Sequence, residues 1–406
     1  MNISILSIGN EILTGKTINT NANFIAENLN KIGFNVKEIL TIADDKESIR
    51  NALDYLFIQS QIIITSGGLG PTSDDITKKE ISSYFNRHLV KNNEVAKSIM
   101  KLLKRNTMDE HITLQSMIPE NSKYFINSVG TAPAILIKDK GRTLIMLPGV
   151  PKEMKYFIEN KIVPYLINHY EVRKKIVYNV KTSTIPEVKI YETLKNRLSE
   201  KDMSYIGFYP SYGIVDIRIS GIDKDAERIS KIKKTVFNVL HKFIFTEDFR
   251  SVEQVLGDKL NERGLTLGLG ESLTGGMIGE RITSVPGSSN YFIGSAVTYS
   301  NKSKIDILEV ESDTIEKYGA VSTNVCLEMI EGVKKRFNVD CTIAVTGIAG
   351  PVGGSKSKPI GLVFIGVSLF DKVILKRYTL SGNRNMIRDR ATNYSIFNLI
   401  KLLEQS

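Results

Sequence analysis

Ser289, Tyr299 and Lys304 share one short stretch, "PGSSNYFIGSAVTYSNKSK" at 286–304. A serine hydroxyl becomes a nucleophile beside a base. Lysine can be that base once burial or a neighbouring cation lowers its pKa. The spacing leaves room for a helix end and one buried strand, "YFIGSAVTY", and then for a turn, "SNKSK", that points Lys304 back to the strand end. Lys302 competes for the role, but as a residue just past the strand it is expected to be solvated. The histidines, His88, His111, His169 and His241, all lie upstream. A Ser-His-Asp triad drawn from this half of the chain is therefore excluded. The plainer alternative is that Ser289 caps a turn and Lys304 sits on an exposed helix face.

Two glycine-rich segments accompany that stretch. In "GLGESLTGGMIGERI" at 268–282, Glu271 and Ser272 end a strand, Thr274 can cap, and Gly275 and Gly276 open a helix. "VTGIAGPVGGSKSKPIG" at 345–361, with Thr346, Gly347 and Gly350, leaves another buried strand. One glycine-rich loop often only turns the chain; two in one domain beside a Ser/Lys stretch form a constellation. "SKSK" at 355–358 fits S-x-x-K but lacks the S-D-N and K-T-G elements that accompany it in penicillin-binding enzymes.

The N-terminal half offers different chemistry. "TSGGLGPTSDDITKK" at 65–79 ends a buried strand in Gly67, Gly68 and Gly70 and places Asp74 and Asp75 before the next helix. Loops at the carboxyl ends of parallel strands are where open α/β sheets bind ligands. Two adjacent carboxylates there would repel a phosphate unless a divalent cation lay between them. Glu11 and Asp44 open toward the same edge, so Glu11, Asp44, Asp74 and Asp75 are the candidate metal ligands; the competing reading makes one of the aspartates an N-cap. "GNEILTGKT" at 9–17 is not a P-loop, because five residues rather than four separate Gly9 from Gly15.

These residues need elements to position them. Residues 1–168 alternate strand and helix signals, which predicts a parallel sheet covered on both faces, a three-layer α/β domain. Residues 171–248 read as a small α+β module with a KH-like element order. It has no G-x-x-G loop of the kind that clamps a nucleic-acid backbone, so a spacer or homodimerisation module is expected. Residues 250–406 read as a third, α/β block with a C-terminal helix over 384–403. At 42% hydrophobic and 24% charged residues the chain reads as globular. "MNISILSIG" looks like a buried first strand, no apolar run can span a bilayer, and Cys326 and Cys341 read as reduced core residues of a cytoplasmic protein. The formal net charge of +10 is spread along the chain, and nucleic acid is not the expected partner.

Taken together, "GNEILTG", "GGLGPTSDDIT", "GTAP" and "LPGVPKEMK" resemble the N-terminal domain of the CinA (competence/damage-inducible) family, which is related to molybdopterin-binding proteins. "ESLTGG", "PGSSNYFIGSAVTYSNKSK", "GAVS", "TGIAGPVGG" and "KPIG" resemble that family's C-terminal nicotinamide-nucleotide amidohydrolase domain. Leu273 stands where the family often has Cys, Asn383 where Asp is frequent, and Ala134 where Gly is frequent. The resemblance implies deamidation of nicotinamide mononucleotide without a cofactor, with Ser289 as nucleophile, Lys304 as base and Tyr299 orienting or relaying the proton. Glu271, Ser272, Thr274, Gly275, Gly276, Thr346, Gly347 and Gly350 would line the substrate, and Arg384 and Arg388 would meet its phosphate. For the N-terminal domain it implies cleavage of ADP-ribose with Mg²⁺, Mn²⁺ or Co²⁺, at Gly67, Gly68 and Gly70. The rival readings are nucleotide or pterin binding without chemistry there, and a competence-related nucleic-acid partner.

Overall fold

A computed structural model describes residues 2–72, 75–171 and 175–405. It divides into two compact units, 1–175 and 176–406.

Seventeen strands are described: β1 (Asn2–Ile8), β2 (Asn35–Ile42), β3 (Ile62–Ser66), β4 (Leu89–Lys91), β5 (Met117–Pro119), β6 (Lys123–Phe125), β7 (Ala134–Asp139), β8 (Arg142–Leu147), β9 (Lys175–Ser183), β10 (Ile206–Ser211), β11 (Ile214–Ile222), β12 (Ile244–Thr246), β13 (Leu267–Glu271), β14 (Phe292–Val297), β15 (Cys341–Gly347), β16 (Leu362–Leu369) and β17 (Lys372–Thr379). In the first unit the main sheet has the order β2-β1-β3-β8-β7-β6. Its first four strands are parallel, while β7 and β6 add on antiparallel. The expected parallel sheet is thus mixed: after "AILIK" the chain reverses at Lys140–Gly141, both at positive φ, and pairs at once with "TLIML". Apolar clusters cover both faces, which gives the three layers. β4 and β5 form a separate two-stranded sheet.

Residues 175–246 fold as strand, helix, two strands, helix and strand, with sheet order β10-β11-β9-β12. Helices Glu187–Lys195 and Ala226–Leu240 bury Ile190, Leu194, Ile229, Ile232 and Val236 against it. This is the α+β, KH-like order that the sequence pattern implies.

The remaining residues build a five-stranded sheet, β14-β13-β15-β16-β17, with β14, β13 and β15 mutually parallel and β16 and β17 antiparallel. β15 and β16 are apolar almost throughout because helices pack on both faces. Since β13 and β14 are parallel neighbours, their carboxyl ends emerge on one edge, in register from Leu267–Phe292 to Glu271–Val297. That edge carries the candidate chemistry.

The helix Thr323–Phe337 packs on this sheet through Val333, with Gly332 against the end of helix Asn301–Leu308, which bears Lys304. A Cβ at Gly332 would lie 2.0 Å from the Leu308 carbonyl oxygen. Helix propensity alone would favour Gly332→Ala by about 1 kcal/mol, but overpacking against fixed backbone costs about 1–3 kcal/mol. We therefore expect Gly332→Ala to lower the melting temperature of the 176–406 unit. An unchanged or raised melting temperature would show that the two helices can separate freely.

Candidate functional site

Lys304 is not on an exposed helix face. Ser300 opens its helix with a capping box, accepting from the Ser303 N–H while the Ser303 hydroxyl lies 3.1 Å from the Ser300 N–H. One turn later Lys304 points back under the β14 end and is 1% exposed. Its amine donates to the Thr298 carbonyl at 2.8 Å, and the Tyr299 carbonyl stands 3.5 Å away. Its third neighbour is the Ser272 hydroxyl at 3.0 Å. No ion pair to Lys304 occurs among the described residues, so nothing offsets the desolvation of the ammonium. Burial alone pulls the Lys304 pKa down to about 8. Lys302 is solvated as expected, 83% exposed and paired with Asp306.

The serine at this lysine is Ser272 and not Ser289. Ser289 lies exposed in a short 3₁₀ turn, Ser288–Asn290, that precedes β14, whereas Lys304 meets the strand's other end. Six residues of strand separate the two ends by about 20 Å. The expected Ser289–Lys304 pair is therefore corrected. Spacing along the chain suggested that Lys304 folds back, and it does. The partner comes from the neighbouring strand, a contact that sequence spacing cannot reveal. The signal was present in "ESLTGG", where a serine ends a buried strand beside glycines.

Ser272 is 7% exposed, and its N–H donates to the Val345 carbonyl, which fixes it between β14 and β15. Glu271 is fully buried. Its two oxygens accept from the N–H groups of Gly276, Ile278 and Gly279 at 3.0, 3.0 and 2.9 Å and from the Ser295 hydroxyl at 3.0 Å. An ionised carboxylate has about four acceptor positions, and here protein donors fill them. Glu271 is thus a structural neighbour of the site and not the substrate contact that was expected.

The remaining expected residues divide similarly. Tyr299 is 60% exposed, and its hydroxyl accepts from Arg384 at 2.6 Å rather than meeting Lys304 or Ser272. Only its backbone carbonyl faces the amine, which corrects the proton-relay expectation. Arg384 also donates to the Gly350 carbonyl at 2.6 Å, and Arg388 donates to the Thr274 carbonyl at 2.7 Å. Both arginines therefore join the last helix, Arg384–Glu404, to the two glycine-rich segments. Gly275 and Gly276 turn the chain at φ 60° and 93°. Thr346 is fully buried and donates to the Ala320 carbonyl at 2.8 Å, and Gly347 packs against Leu362; both are framework.

In the first unit, Gly67 sits at φ 118°, where a Cβ would lie 2.1 Å from the Ile8 carbonyl oxygen, and Gly68 and Gly70 pack on Thr77 and Asp75. Asp44 accepts from the Asn10 N–H at 3.0 Å. Asp75 accepts from the Thr72 N–H at 3.2 Å, and Glu11 folds back over Gly9. Asp74 lies outside the described residues. Among the described residues, which leave out Asp74, no three acids, histidines or cysteines gather into a set that could hold a metal. Nor is any helix among the described residues long and apolar enough to cross a membrane.

Two family models match the chain, and relatives match it along nearly its whole length. The family model described as "CinA C-terminal domain" matches residues 249–403, and one described as "Probable molybdopterin binding domain" matches 4–168. The chain is 37% identical over 396 residues to a CinA-like protein of Dictyoglomus turgidum, covering 96% of each. It is 36% identical over 409 residues to a CinA-like protein of Fusobacterium nucleatum, covering 100% of this chain and 99% of that one. A crystal structure of CinA from Thermoplasma acidophilum, 34% identical, covers 39% of this chain and 94% of its own, with a TM-score of 0.37.

The Lys304 pKa makes a prediction independent of any substrate. Between pH 8 and 10.5 the unfolded chain binds a proton at Lys304 that the folded chain does not, so this group makes stability rise with pH across that window. Below pH 8 its cost is constant and full. Lys304→Met removes that cost, so its melting temperature relative to the unmodified protein should be more favourable at pH 7 than at pH 10. A difference independent of pH would mean that Lys304 titrates normally.

Proposed function

Because this chain belongs to the CinA family, joining its C-terminal domain to a molybdopterin-binding-type domain, we propose that residues 249–403 form a serine–lysine amidohydrolase acting on nicotinamide mononucleotide. One observation carries this reading: a buried lysine amine 3.0 Å from a buried serine hydroxyl, with its pKa pulled down to about 8. A lysine so tuned is partly neutral near neutral pH and can accept a proton.

The reaction runs as acyl transfer. Neutral Lys304 takes the Ser272 hydroxyl proton as the oxygen bonds to the carboxamide carbon, and the carbonyl electron pair moves onto its oxygen. As that pair returns, the carbon–nitrogen bond breaks, and Lys304 passes its proton to the departing nitrogen, which leaves as ammonia. Water then attacks the ester, giving a proton to Lys304. The carbon–Ser272 bond breaks, the proton returns to Ser272, and nicotinate mononucleotide is released. Arg384 and Arg388 supply positive charge at the mouth for a phosphate, and Tyr299 offers an exposed ring to the substrate's aromatic base.

For the first unit we infer nucleotide or pterin binding at the carboxyl edge of its sheet, supported by the Gly67–Gly70 loop there. Metal-dependent ADP-ribose cleavage would draw its cation ligands from Glu11, Asp44, Asp74 and Asp75 at that edge. Calorimetric titration with ADP-ribose, with and without Mg²⁺, tests the binding; absence of heat in both conditions would overturn it.

Ammonia release from nicotinamide mononucleotide tests the main proposal. Ser272→Ala and Lys304→Ala should each reduce turnover by about a thousandfold or more, with the double variant little worse, because the pair acts as a unit. Ser289→Ala should retain turnover within about twofold, as expected of an exposed substitution outside the site. Turnover should fall about tenfold per pH unit well below pH 8, as a proton returns to Lys304. Near-normal release by Ser272→Ala would overturn the assignment.

A further inference from the structure

The turn that follows Ser272 has an unusual distribution of hydrogen bonds. The Gly275 N–H donates to the Ser272 carbonyl and the Met277 N–H to the Thr274 carbonyl, while Gly276, Ile278 and Gly279 donate to Glu271. Between them, the N–H groups of Leu273 and Thr274 donate to nothing among the described residues. Both residues are buried, at 4% and 0% exposure. Buried N–H groups without a partner are rare, because each costs roughly the desolvation of an unmade hydrogen bond. Two in succession directly after a nucleophile candidate call for an acceptor that arrives with the substrate.

We propose that the Leu273 and Thr274 N–H groups are the oxyanion donors of this site, and that Glu271 is the positioning residue that keeps them unpaired and fixed. The inference rests on the serine–lysine reading and goes beyond it by naming the groups that hold the developing negative oxygen. Glu271 acts in two ways. Its carboxylate occupies the first N–H groups of helix Met277–Thr283, the positive end that would otherwise draw an anion away from the turn. By clamping Gly276, Ile278 and Gly279 to the end of β13, it also sets the path of residues 272–275 from both sides. Thr274 is held a second time by Arg388 at its carbonyl. Preorganised donors of this kind stabilise the transition state because they need no rearrangement when charge develops.

Glu271→Gln tests this. A glutamine presents one acceptor oxygen and an NH₂ group that cannot accept from the helix N–H groups, so part of the clamp is lost. Loss of one oxyanion donor costs about 100- to 1000-fold in turnover; displacing the pair by losing part of its clamp should cost at least about tenfold. The loss is expected in kcat, with KM for nicotinamide mononucleotide within about twofold and the acid limb from Lys304 unmoved. A merely structural role would raise KM or shift that limb. Should Glu271→Gln fail to fold, Ser295→Ala removes one donor to the same carboxylate and should lower kcat by about fivefold, again at constant KM. Activity of either folded variant equal to the unmodified protein, or a loss confined to KM, overturns the inference. If the unmodified protein releases no ammonia, the serine–lysine reading itself fails, an outcome distinct from these.

Discussion

A lysine amine can serve as a base near neutral pH only if no carboxylate reaches it, and that constraint shapes the second unit. Lys304 is surrounded by two carbonyls and a hydroxyl, which accept hydrogen bonds yet carry no full charge. Desolvation therefore acts unopposed and lowers its pKa. The hazard is Glu271, one residue from Ser272. Glu271 ends β13 and turns its carboxylate to the following helix, while Ser272 lies just past the strand and meets Lys304. The helix N–H groups and Ser295 then hold the carboxylate in place. Held there, the carboxylate makes no ion pair with Lys304. The clamp on Glu271 and the uncharged surroundings of the Lys304 amine are thus parts of one arrangement.

The fold supplies this arrangement through strand order more than through any loop. Ser272 follows the central strand β13, while Lys304 follows β14 by way of a capped helix, so one parallel pairing brings them together. Gly332 lets the neighbouring helix approach the Leu308 carbonyl closely, keeping the lysine helix against the sheet. The last helix closes the edge from outside, with Arg384 and Arg388 one turn apart and each hydrogen-bonded to a different loop carbonyl. The antiparallel strands β16 and β17 carry none of the reacting groups; they supply the sheet beneath which this helix buries Ile396, Leu399, Ile400 and Leu403.

Much of this was legible in the residue pattern. The strand-and-helix alternation, the α+β order of the middle module and the C-terminal helix all follow from hydrophobic period and turn residues. The inward fold of Lys304 was readable from "SNKSK", and the solvation of Lys302 from its position. The pairing of Lys304 with Ser272 was not readable from spacing, because the two meet only through strand pairing thirty-two residues apart, although "ESLTGG" marks the serine itself. Glu271 misled for a related reason. A glutamate at a strand end beside glycines looks exposed, and only the surrounding N–H groups make its complete burial tolerable. The mixed sheet of the first unit was missed because the strand-and-helix alternation outweighed a local cue: a reversal as tight as Lys140–Gly141 can join only antiparallel strands.

The two glycine-rich edges show why similar sequence texture does not carry equal weight. In the first unit, Gly67 is required by the Ile8 carbonyl 2.1 Å from its would-be Cβ. That glycine would be needed whether or not any ligand approached. Around Gly275 the situation differs: the nearest atom to an added Cβ is an arginine nitrogen at 3.6 Å, so packing leaves room for a side chain. What demands glycine there is its φ of 60°, which lets the chain turn from β13 into the helix immediately after Ser272 and Thr274. A glycine forced by packing speaks for the fold. One required only by the route the backbone takes serves to place the turn directly after Ser272.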